Sequence, residues 1–304
     1  MQWKNRSLLY NATGLGWNCS AAMIPTPEYI DDNTLRIYIS SCDSFNRSRI
    51  SYLECLLQND TPQIVKIGDR PFFEIGERGT FDDNGCVATS IITLQNGWKY
   101  LYYVGFELCT NIRYRLFIGL AISNDGGKSF QRYSNTPILD RTDQEPYFRC
   151  GPYVSLEAGT FRMWYVAGNE WIEIDGKSMP IYRIKYLESK DGIHWGDCGK
   201  VCIDIEAPEE HGFGRPYVIR DAGVYKMFYS KRIKHLGYRM GYAESKDGID
   251  WVRKDSLMNF EPSGNGWDSE MVCYPALVKH DNRWIMFYNG NGFGKTGFGY
   301  AELQ

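Results

Sequence analysis

Five short stretches hold most of the side chains that could do chemistry, and each lies just ahead of a strand-like segment. They are residues 18–20 (NCS), 81–85 (FDDNG), 145–151 (EPYFRCG), 209–215 (EEHGFGR) and 267–274 (WDSEMVCY). All but the first bring a carboxylate to about the same depth, and Arg149, His211 and Arg215 accompany them. Converging carboxylates raise one another's pKa, which suits a general acid beside a general base. Cleavage or transfer at a sugar anomeric centre uses such a pair. Asp83 and Glu270 are the leading candidates for the pair, with Asp82 and Glu210 next. Arg149, Arg215 and His211 are candidates for holding an anionic part of a substrate, because a guanidinium can grip an oxyanion with two parallel N–H bonds. Tyr274 and Phe213 are expected to stack on a sugar face, and Glu145 completes the substrate-contact set. The competing reading is that these charges pair with one another as structural ties.

The stretches recur because the chain repeats. An aromatic-rich strand appears at residues 36–40 (RIYIS), 100–104 (YLYYV), 162–166 (RMWYV), 226–230 (KMFYS) and 284–289 (WIMFYN), with Tyr38, Tyr103, Tyr165, Tyr229 and Tyr288 aligned at near-even intervals. A second strand follows each of these. Another precedes each, and carries Pro25, Pro152, Pro216 or Pro275 in all but one repeat. Asp125-Gly126, Asp191-Gly192 and Asp247-Gly248 mark turns, since glycine accepts the positive φ that tight turns need. An aromatic then opens a further strand at Phe130, Trp195 and Trp251. A four-stranded meander repeated in this way predicts an all-β, five-bladed β-propeller with antiparallel blades, a single domain over residues 1–304. The last repeat lacks its fourth strand. Gln2-Trp3-Lys4-Asn5-Arg6 resembles Asp250-Trp251-Val252-Arg253-Lys254, so the N-terminal segment is expected to close the last blade and remove its open edge. The five candidate stretches then face one central channel.

Composition narrows the functional classes. The 304 residues are 43% hydrophobic and 15% aromatic, with a net charge of −3 and no acidic or basic block. That argues against a nucleic-acid partner, which needs a basic face. Met1 to Tyr10 reads as neither a leader nor a membrane span, so no membrane association is expected. The 9 cysteines show no CxxC pairing; they read as reduced thiols of a cytoplasmic protein, and the spacing does not support a metal site. No P-loop or dinucleotide fingerprint is present, so no cofactor is expected.

Repeat length, proline-led inner strands and the phrases ESKDGIHW (188–195) and ESKDGIDW (244–251) resemble the five-bladed propellers of the arabinanase/β-xylosidase, invertase/levansucrase and mannoside-phosphorylase families. The phrases FDDNG, DSEMVCYP (268–275) and YNGNGFGKTG (288–297) are similar to stand-alone bacterial propellers associated with surface polysaccharide production. The resemblance implies a carbohydrate-active enzyme acting on a glycosidic or sugar-phosphate bond, with a sugar or nucleotide sugar as substrate. The families' catalytic triad does not carry over. Ile24 and Pro25 stand where the arabinanase type has an aspartate, and Cys150-Gly151-Pro152 where it has Glu-Gly-Pro. One alternative is a non-catalytic glycan-binding or scaffold propeller. Another is a sialidase-like hydrolase, because residues 123–130 (SNDGGKSF) match the Asp-box turn; that class requires three convergent arginines, and only two can be placed.

Overall fold

The structure is a computed structural model that describes residues 1–14, 16–58 and 61–304. It holds five sheets of four antiparallel strands. Blade I runs β2 (Ser20–Tyr29), β3 (Thr34–Cys42), β4 (Ser48–Gln58), β5 (Thr61–Ile67); blade II runs β6 (Cys86–Thr93), β7 (Lys99–Leu108), β8 (Tyr114–Ser123), β9 (Gln131–Arg132). Blade III runs β10 (Phe148–Glu157), β11 (Thr160–Ile174), β12 (Lys177–Ser189), β13 (Lys200–Ile203); blade IV runs β14 (Glu210–Asp221), β15 (Val224–Ile233), β16 (Arg239–Ser245), β17 (Val252–Arg253). Blade V runs β18 (Cys273–His280), β19 (Arg283–Asn289), β20 (Phe298–Leu303) and is completed by β1 (Trp3–Tyr10). The first strands β2, β6, β10, β14 and β18 touch in sequence, and β18 returns to β2, so the ring closes.

Closure by the N-terminal segment is as expected, but the strand is longer than the five residues that signalled it. It runs to Tyr10, paired from Trp3 opposite Leu303 to Tyr10 opposite Phe298 with register shifts between Lys4 and Ser7 and between Leu8 and Tyr10. One expectation is corrected: Trp195 does not open a fourth strand. Residues 196–199 (GDCG) intervene before β13, and the indole packs edge-on against Tyr102 instead.

Sandwiched between neighbouring blades, the second strands are apolar on both faces; Leu101 to Tyr103 are fully buried. The three Asp-Gly turns share one construction. Ser123, Ser189 and Ser245 accept the N–H of Gly127, Gly192 and Gly248, while Asp125, Asp191 and Asp247 accept backbone N–H groups further round the turn. Each turn also presents a carbonyl to the preceding blade. Gly127 O accepts from Arg36, Gly192 O from the Tyr102 hydroxyl at 2.9 Å, and Gly248 O from the Trp164 indole at 2.8 Å. The turns therefore join blade to blade, far from the axis.

Candidate functional site

The proline-led inner strands are bulged where they pass the axis. Ile24, Arg215 and Tyr274, each immediately before its proline, have φ of 52°, 35° and 58°, and Gly151 has 58°. The ladder slips at the same points. A residue ahead of proline is disfavoured in the right-handed helical region, and a bulge re-aims its side chain. Left-handed backbone at non-glycine residues carries strain that collects at functional sites.

Arg215 illustrates the result. From blade IV its guanidinium donates to the carbonyls of Tyr274 at 3.0 Å and Pro275 at 3.4 Å in blade V, and to the Thr26 hydroxyl at 2.8 Å in blade I. It is 3% exposed and crosses the channel. No carboxylate meets it among the described residues, and burial pulls its pKa down to about 10.

The aligned tyrosines explain most of the carboxylates. Tyr38, Tyr103, Tyr165, Tyr229 and Tyr288 donate their hydroxyls to Glu28, Asp82, Glu145, Asp255 and Asp268. A cation completes each tie. Lys99 meets Glu28, Arg132 meets Asp82 at 2.8 Å, Lys185 and Arg149 meet Glu145 at 2.8 and 2.6 Å, Arg253 bridges Asp255 and Glu210, and Arg6 meets Asp268. Asp82, Glu145 and Glu210 therefore sit in ion pairs inside their blades. Arg149 is turned the same way: its remaining nitrogens donate to the carbonyls of Asp140 and Gly196. Phe213 is fully buried between blades, edge-on to Tyr229 with the Arg253 guanidinium over its ring. Asp83 and Glu270 differ. Asp83 is half-buried and accepts only the Gly79 N–H. Glu270 is exposed, and neither carboxylate meets a cation among the described residues.

Tyr274 has aromatic company that the sequence did not reveal. Its ring lies 6.1 Å from Tyr238 and 6.4 Å from Phe293, and those two are 4.9 Å apart. Tyr114 and Tyr182 approach from blades II and III through Phe148, at 6.3 and 5.4 Å. The Arg232 guanidinium lies 4.6 Å from the Tyr182 ring centre and interacts electrostatically with all four tyrosines. Burial pushes Tyr238 up to about 12 and Tyr182 well above its ordinary value. These hydroxyls stay protonated at neutral pH. His211, on β14, is 6% exposed; burial, then the charges of Arg232 and Lys234, pull it down to about 4, so it is neutral.

Arg232, Tyr114, Tyr182 and Tyr238 escaped the sequence reading because it followed only the loops entering the inner strands. In an up-and-down meander the ends of the second and third strands reach the same mouth, and the aromatic lining comes from there. Among the described residues, no group of three or more His, Cys, Asp or Glu is arranged to hold a metal ion, all nine cysteines are unpaired, and no helix is long and apolar enough to cross a membrane.

No protein-family model matches the chain. Among solved structures it superposes on a glycoside hydrolase with a TM-score of 0.75 and 17% identity, over 99% of this chain and 91% of that one. It also superposes on a thermostable family-43 glycoside hydrolase with 0.64 and 16%, over 96% and 92%. The endo-arabinase of Bacteroides thetaiotaomicron VPI-5482 gives 0.62 and 14%, over 98% and 96%. Likeness at this identity shows a shared fold, the five-bladed propeller. Two sequence relatives stand much nearer, uncharacterized protein Rv1502 of Mycobacterium tuberculosis strain H37Rv and uncharacterized protein MT1551 of strain CDC 1551. Each is 35% identical over 305 residues that span the whole of both chains. Identity sustained from end to end at this level means that the chain belongs to the same family as these mycobacterial proteins.

Proposed function

We propose that the protein is a carbohydrate-active propeller that takes a sugar into the mouth of its central channel and acts on a glycosidic or sugar-phosphate bond. The observation that carries this reading is the aromatic mouth, where tyrosines from blades II to V and Phe293 gather at one end of a channel whose bulged strands hold strained, non-glycine backbone. Concave sites of mixed aromatic and polar lining are where small ligands bind. Tyr274 and Tyr238 stack on the sugar face. Asp83 and Glu270 are the acid/base pair in this reading, since they alone of the four nominated carboxylates are free of a cation partner among the described residues. Fold likeness to glycoside hydrolases agrees with it.

One observation favours a second reading, a glycan-binding propeller without turnover: Asp82, Glu145 and Glu210 are all held in ion pairs. Incubation with a panel of glycosides, sugar phosphates and nucleotide sugars, followed by product analysis, separates the two. Asp83→Asn and Glu270→Gln should each abolish turnover and leave binding within a few-fold, because an amide keeps the shape but transfers no proton. Binding of a sugar with no product in the wild type would leave the binding reading standing, and full activity in both variants would remove the acid/base roles of Asp83 and Glu270.

A further inference from the structure

Four arginines of the described chain are less than 10% exposed: Arg149, Arg162, Arg215 and Arg232. Arg149 faces Glu145 and Arg162 faces Glu157. Arg215 meets no carboxylate among the described residues and its Nε–H also lacks an acceptor, but its Nη1 and Nη2 donate to three neutral oxygens. Arg232 is different. It is 2% exposed and, among the described residues, meets no carboxylate and makes one hydrogen bond, from Nη1 to the Pro180 carbonyl at 2.9 Å. Its Nε–H has no acceptor. Nε and Nη2 lie on the same edge of the guanidinium, the edge that grips a carboxylate or phosphate with two parallel bonds. Two neighbouring buried atoms are orphaned as well: the Tyr182 hydroxyl and Nδ1 of His211. Buried polar atoms are nearly always paired, and three orphans in one neighbourhood call for a missing partner. That partner must accept hydrogen bonds and carry negative charge, because a buried guanidinium without a counter-charge is costly and a tyrosine face offsets only part of that cost.

We infer that Arg232 is the seat of the ligand's negative charge: the sugar taken at the mouth carries a carboxylate or phosphate, and this group docks on Nε and Nη2 of Arg232 and on the Tyr182 hydroxyl. The inference rests on the proposal that the mouth binds a sugar, and adds that the sugar is acidic. Neutral His211 beside it offers a ring nitrogen without adding charge, and Lys234 is the other cation facing that imidazole. Tyr238 and Tyr274, 6.1 Å apart and within electrostatic reach of the guanidinium, are where the uncharged part of the ligand rests.

The test is calorimetry and thermal shift on the full chain at pH 7, with glucose, glucuronate, glucose 1-phosphate, UDP-glucose and inorganic phosphate as probes. At least one acidic sugar should bind ten-fold or more tightly than glucose. Arg232→Lys should weaken it at least ten-fold, since a point charge loses the fork. Arg232→Met should abolish the preference without lowering the melting temperature of the unliganded protein, because the charge it removes has no counter-charge there. Tyr182→Phe should weaken binding several-fold at unchanged melting temperature, since its hydroxyl has no partner to lose. Equal binding of glucose and acidic sugars would overturn the inference and leave the sugar-binding proposal intact. Arg232-dependent binding of inorganic phosphate with no sugar bound would keep the anion seat and sink the sugar proposal. Wild-type affinity in Arg232→Met, or a melting temperature that falls in Tyr182→Phe, would show these groups to be structural and overturn the inference.

Discussion

His211 is a buried base between two cations, and its cost can be read in a pH profile. In the unfolded chain an imidazole binds its proton below about 6.5; in the fold, burial and then Arg232 and Lys234 delay this to about 4. Between those values the unfolded chain holds more protons, so stability falls as pH falls. The full loss is up to about 3 kcal/mol. Denaturant midpoints between pH 7 and 4.5 should therefore decline in the wild type and stay nearly flat in His211→Gln. The window separates His211 from the Asp-box aspartates. Asp247, held at about 2 by N–H donors from Asp250 and Ile249, stays charged throughout it. An unchanged acid limb in the variant would assign the decline to another group.

At the scale of the element, a turn glycine that faces the preceding blade differs from one that faces away, as Gly192 and Gly126 show. Gly126 and Gly192 both have positive φ, 78° and 73°. A Cβ on Gly126 would meet nothing within 4 Å. One on Gly192 would lie 2.6 Å from the Tyr102 hydroxyl and 2.7 Å from Phe161. Gly126→Ala should therefore cost only the backbone strain, about 1 kcal/mol. Gly192→Ala adds overpacking against an interblade contact and should cost about 2–4 kcal/mol. Chemical denaturation of the two variants checks the ranking; equal losses would mean that the turn does not hold blade III to blade II.

Across the whole molecule, closure rests on β1. Removing residues 1–10 takes away a full strand and the edge it covers on β20. It also takes the Arg6–Asp268 pair and the Trp3 ring, which packs edge-on against Phe228 and Phe260 and donates to Met258 O at 2.8 Å. Asp268 would remain buried with Tyr288 and Ser263 but without its cation. The expected loss is at least about 4 kcal/mol, beyond the usual range of a single substitution. A truncated protein that melts with the full-length one would show that the ring does not need this closure.

Strand periodicity, turn chemistry and the recurrence of one aromatic strand determined the propeller, its blade number and its N-terminal closure, because each is a local signal repeated often enough to fix its period. The place of Tyr274 on an inner strand was also legible, since its position beside an aligned proline follows from the repeat alone. The sequence could not say where each charge goes. Asp82 and Asp83 are adjacent in the chain, yet one turns inward to Tyr103 and Arg132 and the other stays half-buried on the Gly79 N–H. Arg149 and Arg215 occupy equivalent stretches, yet one closes on Glu145 and the other crosses the axis to Thr26. Such choices depend on which partners converge in space from distant blades, and on side-chain direction at a bulge. Arg232 and the tyrosines around it became visible as a cluster only when the ring brought four blades together, because side chains that converge from separate repeats are contained in no one of them.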